Sequence, residues 1–258
     1  MYVDSHCHLD PQYYPEGGAD AALDRARQAG VSAFVAIGVG ADLSMARHVA
    51  AVAAAQPDVW AAVGVHPHDA TSLDAAKEEE LESLARQARV VAVGEIGLDY
   101  HYMHSPREAQ HETFRRLVRL ARRVEKPIVI HTREAAEDTL RILDEEGARE
   151  VGGVIHCFSE DRPFAARALD LGFDLSFSGI VTFKSARAIQ EVAAWAPPER
   201  ILVETDSPYL APIPMRGKRC EPAFVVHTAR RVAELRGETV EEVARRTSEN
   251  ARRLFRLR

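Results

Sequence analysis

The sequence predicts an α/β fold, specifically a closed (β/α)₈ barrel with additional helices at its C-terminal end. Short apolar, β-branched runs alternate with longer segments rich in Ala, Leu, Arg and Glu, the pattern of parallel strands covered by helices. Eight such runs can be counted, and the 258 residues match the roughly 250 that one such barrel needs. We therefore expect residues 1–258 to form a single barrel domain.

The predicted elements follow one another in strict order. In chain order, the eight strands are expected at residues 2–6, 33–38, 60–66, 90–97, 127–132, 152–158, 173–179 and 201–206. Between them, the clearest helices are expected at 20–30, 106–124 and 134–147, and two more follow the last strand, near 221–236 and 239–255. Thr239 and Glu242 have the spacing of a capping box at the start of the last helix.

Composition and charge restrict the class of protein. The three cysteines are odd in number and far apart, a pattern typical of reduced intracellular proteins. No signal peptide or membrane-spanning run is visible, so we expect a cytoplasmic monomer without membrane contact. The net charge of −6 argues against a general nucleic-acid coat, although a polyanion could bind at a local basic patch or a bound cation.

Ionisable side chains recur where the predicted strands end. In a (β/α)₈ barrel these carboxyl ends surround one mouth, where active sites lie. Four histidines and two carboxylates at such positions are the ligand set of a divalent metal site, and burying them without a cation would be costly. The candidate metal ligands are His6, His8, Glu95, His131, His156 and Asp206.

Strand alternation refines this set. His6 and His8 are two residues apart and should face the same side, whereas Cys7 faces the other. Glu204 should share a side with Asp206 by the same rule. His48, His111 and His227 fall in helical segments and are interpreted as ordinary polar residues. The sequence has no G-x-S-x-G elbow, H-E-x-x-H motif or P-loop that would indicate another chemistry.

Several motifs resemble those of the TatD family of metal-dependent hydrolases, within the wider amidohydrolase-type metal barrels. They are spread along the whole chain, and a C-terminal NARRLF at 250–255 resembles the ending of the family. The motifs are DSHCHLD (4–10), GVHPH (64–68), GEIGLDYHY (94–102), IHTREA (130–135), HCFS (156–159) and ETDSPYLAP (204–212).

The resemblance implies a distorted TIM barrel, one to three divalent metals and deoxyribonuclease activity, including removal of nucleotides from the 3′ ends of single strands. The ligands of the family carry over onto the six residues above, with Glu95 bridging two principal metals. His66 and Glu204 match further positions of its pocket. Cys220 departs from the asparagine that family members often have there, which could change specificity or rate.

We therefore expect a 3′-5′ exonuclease on single-stranded DNA that uses water activated by two divalent ions, Mg²⁺, Zn²⁺ or Mn²⁺. One ion is expected on His6, His8, Glu95 and Asp206, and the other on Glu95, His131 and His156. The expected catalytic residues are Asp206 as base, Glu204 orienting a ligand histidine, and His66. The expected substrate contacts are His66, Arg216, Lys218 and Arg219.

Three other functions remain open from the sequence. The same metal site could hydrolyse the ester of a D-aminoacyl-tRNA, or an amide or lactone of a small molecule. A non-catalytic binding scaffold is the third, although the intact ligand set argues against it.

Tyr100, His101 and Tyr102 could stack on bases in a sequence-tolerant way or simply pack in their loop, and the sequence favours neither.

Overall fold

A computed structural model describes residues 1–14 and 17–257 of the chain. One sheet of eight strands runs in the order β1 to β8, and the paired neighbours are parallel. The strands are β1 Tyr2–Cys7, β2 Val31–Gly38, β3 Val59–Val63, β4 Val90–Asp99, β5 Ile128–Arg133, β6 Gly153–Ile155, β7 Phe173–Phe177 and β8 Ile201–Val203. The predicted (β/α)₈ fold class is thereby confirmed.

The described part of the chain contains nine α-helices, and the two predicted beyond the last strand are α8 and α9. The helices are α1 Gly18–Gln28, α2 Ser44–Ala55, α3 Ala75–Ala85, α4 Arg107–Arg123, α5 Ala136–Glu145, α6 Arg162–Asp170, α7 Arg187–Trp195, α8 Val225–Arg236 and α9 Val240–Phe255. The capping box of Thr239 and Glu242 is present at the start of α9. Among the described residues, no helix combines the length and apolar character that crossing a membrane requires.

The chain divides into two compact units, each with its own core. The first comprises Met1–Ala36, His156–Ala165 and Asp174–Arg258, and the second Ile37–Ile155 and Ala166–Phe173. Phe34, Phe177 and Phe255 are buried in the first, and Phe114 and Ile96 in the second. The expectation of a single domain over 1–258 stays a prediction.

Four strands, β3, β6, β7 and β8, end earlier than the sequence predicts, and the site residues that follow β3, β6 and β8 therefore lie in loops. β3 ends at Val63, and Pro67, which has no backbone N–H, begins a 3₁₀ turn over Pro67–Ser72. Beyond β6 and β8 the chain leaves the extended region at Cys157 and Asp206, whose φ angles are +44° and +54°. β4 instead extends beyond the prediction to Asp99.

Close approach of β4 to β5 depends on one glycine. Gly97 has a φ of +146°, and a Cβ atom built on it would lie 1.9 Å from the carbonyl oxygen of His131. Any other residue would therefore push the two strands apart. Gly97 thus fixes the backbone of the strand that carries His131.

Candidate metal centre

A cluster of histidine and carboxylate side chains lies in the first compact unit. His6 is in β1, His8 follows this strand, and Asp206 follows β8. Asp206 Oδ1 is 3.6 Å from Nε2 of His6 and 3.5 Å from Nε2 of His8. His156 stacks on His6 with ring centroids 3.9 Å apart. His6, His156 and Asp206 each offer a ligand atom within 4.8 Å of the others, as one metal ion requires.

The second compact unit holds a similar cluster, made of His66, Glu95 and His131. Their ligand atoms also lie within 4.8 Å of one another. Glu95 Oε1, in β4, is 2.7 Å from Nδ1 of His131 and 3.5 Å from Nε2 of His66. Burial lowers the pKa of His66 to about 4, against a raising contribution from Glu95. The His66 imidazole is therefore neutral at pH 7, the form that can bind a metal.

Both donor sets fit a divalent cation. Ligand atoms about 2.1 Å from one ion lie roughly 3–3.5 Å apart, close to three of the carboxylate–imidazole distances, which are 3.5 or 3.6 Å. The fourth, between Glu95 and His131, is a hydrogen-bond distance of 2.7 Å. His6 is fully buried, and Glu95 and Asp206 are 3% and 9% exposed. Burying carboxylates at this density is costly unless a positive charge compensates them. Imidazole and carboxylate are also the ligands that Zn²⁺ and Mn²⁺ accept.

Glu204 is buried beside the first cluster. Its Oε1 accepts a 2.7 Å hydrogen bond from the backbone N–H of Cys157 and lies 3.3 Å from Nδ1 of His156. Its Oε2 is buried and has no hydrogen-bond partner among the described residues. A buried carboxylate oxygen without a donor is a further observation that a cation at this site would explain.

Two buried aspartates support the clusters and were missed by sequence reasoning. Asp4, in β1, accepts hydrogen bonds from the backbone N–H and the hydroxyl of Thr205, at 2.9 and 2.6 Å, and so ties β1 to the segment that carries Asp206. Asp99 Oδ2 is 3.1 Å from Nε2 of His131 and from Nε2 of His68. Burial opposes the charge of Asp99, but the hydrogen bonds hold its pKa well below the usual range.

The predicted substrate contacts lie in two different settings. Arg216, Lys218 and Arg219 are exposed in the loop after β8. The guanidinium of Arg216 lies 4.0 Å from the centre of the Phe183 ring. Lys218 and Arg219 form no ion pair within the described ranges. His66, in contrast, belongs to the second cluster, where its Nδ1 accepts a 3.2 Å hydrogen bond from the backbone N–H of His68.

Cys220 and Cys7 are both buried thiols. Cys220 is fully buried, and its Sγ is 3.9 Å from the carbonyl oxygen of Thr205. Cys7 Sγ is 3.6 Å from the carbonyl oxygen of Val35 in β2. Burial raises the pKa of both thiols. They are therefore protonated packing groups at neutral pH.

An eight-stranded α/β barrel with buried histidine–carboxylate clusters at its strand ends defines a metal-dependent hydrolase. The family described as TatD related DNase matches residues 3–256, and the chain belongs to this family. It is 41% identical over 257 residues to the uncharacterized metal-dependent hydrolase YabD of Bacillus subtilis, covering all of both chains.

Two further matches agree with this assignment. The 3′-5′ ssDNA/RNA exonuclease TatD of Pantoea ananatis is 36% identical over 244 residues, covering 92% of this chain and 93% of that protein. The crystal structure of the TatD homologue YJJV of Escherichia coli K12 superposes with a TM-score of 0.91 at 30% identity, covering 100% of this chain and 98% of the other.

Proposed function

We propose that this protein is a divalent-metal-dependent deoxyribonuclease that removes nucleotides from the 3′ ends of single-stranded DNA. The observation that carries the proposal is the pair of buried histidine–carboxylate clusters in a chain of this family. The relative from Pantoea ananatis, described as an ssDNA/RNA exonuclease, favours a single-stranded nucleic acid as the substrate.

Six side chains would hold the ions, in two groups. When bound, two divalent ions would lower the pKa of the attacking water and stabilise charge on the phosphoryl and leaving oxygens. His6, His8, His156 and Asp206 would hold one ion. Glu95 and His131 would hold the other, and we retain the proposal that Glu95 serves both.

The chain itself would supply the acid–base chemistry. Asp206 would take the proton of the attacking water, because its carboxylate lies among the ligand imidazoles. Glu204 would orient His156 through its 3.3 Å contact with Nδ1. Neutral His66, itself a member of the second cluster, would contact the substrate. Arg216, Lys218 and Arg219 would neutralise phosphates of the strand.

The decisive experiment is an assay of metal-stripped protein on a 3′-labelled single-stranded oligonucleotide, with Mg²⁺, Mn²⁺ and Zn²⁺ added back one at a time. We expect no cleavage without metal and release of single nucleotides from the 3′ end with at least one ion. Product ends would distinguish this action from internal cleavage. A D-aminoacyl-tRNA assayed in parallel tests ester hydrolysis. Cleavage of the ester with intact DNA would contradict the proposal.

Replacing the base gives a matched test of the mechanism. Asp206→Asn should lower the turnover number on the oligonucleotide by at least about 100-fold, since general-base catalysis contributes that much. Asp10→Asn is the control, because the Asp10 carboxylate accepts two hydrogen bonds from Gln12 and lies outside both clusters. Circular dichroism would check that both variants fold. Unchanged turnover in Asp206→Asn would rule out this residue as the base.

A further inference from the structure

The loop between β4 and α4 presents an unusual set of side chains to solvent. Residues 101–104 read His-Tyr-Met-His, and all four are exposed. Tyr102 is 50% and Met103 41% exposed, which places them among the few large apolar side chains on the described surface. Exposed apolar groups clustered in this way commonly mark a binding site.

The loop is exposed but firmly held. Asp99 Oδ1 accepts hydrogen bonds from the backbone N–H groups of His101 and Tyr102, at 3.0 and 2.8 Å. At its other end the buried Ser105 hydroxyl donates to the carbonyl oxygen of His68 at 2.7 Å, and Gln110 Nε2 donates to the carbonyl oxygen of Ser105 at 2.8 Å. A fixed backbone lowers the entropy cost of binding a ligand on these side chains.

His68 connects this loop to the second cluster. The His68 ring lies edge-on to Tyr102 and His104, with centroids 5.5 and 4.6 Å away. Its Nε2 binds the same oxygen of Asp99 that binds His131, at 3.1 Å in each case. The exposed rings therefore lie within a few side chains of a proposed metal ligand.

The exposed rings combine aromatic and positive character. Tyr102 and His104 lie nearly parallel, with centroids 5.8 Å apart and planes at 12°. The guanidinium of the exposed Arg133 lies 4.7 Å from the centre of the Tyr102 ring. The carboxylate of Glu134, the residue after Arg133, lies 2.7 Å from His101 Nδ1. Aromatic faces beside a cation are the surface on which single-stranded nucleic acids bind.

Tyr100 is unsuited to this role, although the sequence left it equal to Tyr102. Its hydroxyl donates to Asp138 Oδ2 at 2.6 Å and lies 2.5 Å from His111 Nε2. Its ring is also half-buried, whereas the Tyr102 ring is exposed. Tyr100 is thus occupied in packing the loop against α4 and α5, whereas half of Tyr102 stays open.

We propose that Tyr102 and Arg133 form a nucleotide subsite beside the second cluster. One base of the single-stranded substrate stacks on the Tyr102 and His104 rings, and Arg133 neutralises a neighbouring phosphate. Because stacking needs only a π-face, the subsite accepts any base. The inference rests on the proposed nuclease function and assigns residues that would set its affinity for the strand.

The test pairs a protein variant with a changed substrate. Oligonucleotides carrying one abasic position, moved stepwise from the 3′ end, are compared on the wild type and on Tyr102→Leu. For one position, the abasic site should raise the KM of the wild type about tenfold, the size expected for one lost stack. Tyr102→Leu should have the same about tenfold higher KM on the intact strand, because it lacks the stacking ring. Its KM should not rise further when that position is abasic. Tyr102→Trp should restore both.

Arg133→Gln tests the cation of the subsite, and Arg107→Gln is its matched control, since each variant removes one cation from above a tyrosine ring in the same unit. Only Arg133→Gln should weaken binding, severalfold, and lower its salt dependence. The affinity and its salt dependence are measured by fluorescence anisotropy of a labelled strand. All proteins in this measurement also carry Asp206→Asn, so that the strand is bound but not cleaved. If the wild type binds and cleaves the strand but Tyr102→Leu matches it at every abasic position, the subsite is wrong while the nuclease function stands. A wild type that neither binds nor cleaves DNA overturns both.

Discussion

At the scale of single residues, Asp99 accepts four hydrogen bonds from separate parts of the second unit. Two come from the ring nitrogens of His131 and His68 and two from the backbone N–H groups of His101 and Tyr102. These bonds keep the carboxylate ionised and set which nitrogen of His131 carries the proton. One buried side chain thus orients a proposed ligand and fixes the exposed loop.

Asp99→Asn should therefore weaken metal binding without removing a ligand. The amide keeps only one accepting oxygen for the two ring N–H groups and the two backbone N–H groups, which Asp99 binds with separate oxygens. We expect the backbone pair to keep that oxygen, so that His131 loses its orientation and affinity for Zn²⁺ falls about 10- to 100-fold. Isothermal titration of metal-stripped protein measures this. Asp138→Asn is the control, because Asp138 binds Tyr100 and Arg141 instead. Equal affinities for the wild type and Asp99→Asn would contradict the orienting role.

Sequence reasoning selected residues by their position at strand ends, which explains what it found and what it missed. Glu95 and His131 were selected because apolar strands lead directly to them. The sequence pattern does not indicate Asp99, because it predicts the end of β4 at Gly97, whereas the strand continues to Asp99. His68 lies in a 3₁₀ turn, where no periodicity indicates its direction. Such contacts between loops depend on tertiary structure and leave no local pattern.

At the scale of elements, α4 is bound to the end of α5 by arginines around Glu146. Arg115 Nη1 donates to Glu146 Oε1 at 2.7 Å, Arg119 donates to both carboxylate oxygens, and Arg122 donates to the Glu146 carbonyl at 3.0 Å. The Arg119 hydrogen bond is the main cause of the lowered pKa of Glu146, which is 8% exposed. The ionised carboxylate therefore favours the folded state.

This pairing predicts a pH dependence of stability. A carboxyl group whose pKa is lowered in the folded state contributes fully above its unfolded pKa of about 4.3. The contribution is lost as the pH falls through the folded pKa. Glu146→Gln should cost about 1–3 kcal/mol of unfolding free energy at pH 7, and the difference from the wild type should shrink below pH 4. Urea unfolding at several pH values measures both.

Glu145→Gln is the control for this prediction. Glu145 precedes Glu146 and also pairs with Arg115 and Arg141, but its side chain is 43% exposed. Exposed pairs contribute only about 0–1 kcal/mol, because water screens them. A Glu145→Gln variant as unstable as Glu146→Gln would show that burial does not decide the effect. The arginines of α4 were visible in the sequence, but their partner at the end of α5 depends on how the two helices pack.

At the scale of the whole molecule, the number and order of strands could be predicted because each strand is a short apolar run bounded by helical segments. The barrel class follows from repetition of this local pattern, so errors of a few residues at the ends of β3, β6, β7 and β8 do not affect it. The grouping of the metal ligands, in contrast, does not follow from a local pattern. The sequence places His156 on an ion with Glu95 and His131, whereas the geometry groups it with His6 and Asp206. Backbone direction after a strand, such as the positive φ at Cys157, decides such groupings.

Metal content of variants tests these assignments on the whole molecule. The wild type should bind about two ions per chain, measured by elemental analysis after dialysis against Zn²⁺ or Mn²⁺. His8→Gln and His131→Gln each remove a ligand of a different proposed ion, so each variant should keep about one and the double variant none. Because bound ions stabilise only the folded state, the Tm should fall in the same order.

Glu95→Gln gives the sharpest result, because Glu95 is proposed to serve both ions. If it does, this one substitution should lower the content below the single ion kept by His131→Gln, since both ions lose a charged ligand. Glu95 Oε1 lies 2.7 Å from His131 Nδ1. If Glu95 serves only the ion that His131 binds, Glu95→Gln and His131→Gln should have equal metal content and equal Tm. Glu134→Gln, on an exposed carboxylate, should match the wild type. Equal losses in Glu95→Gln and His131→Gln would therefore replace the bridged pair with two independent metal sites.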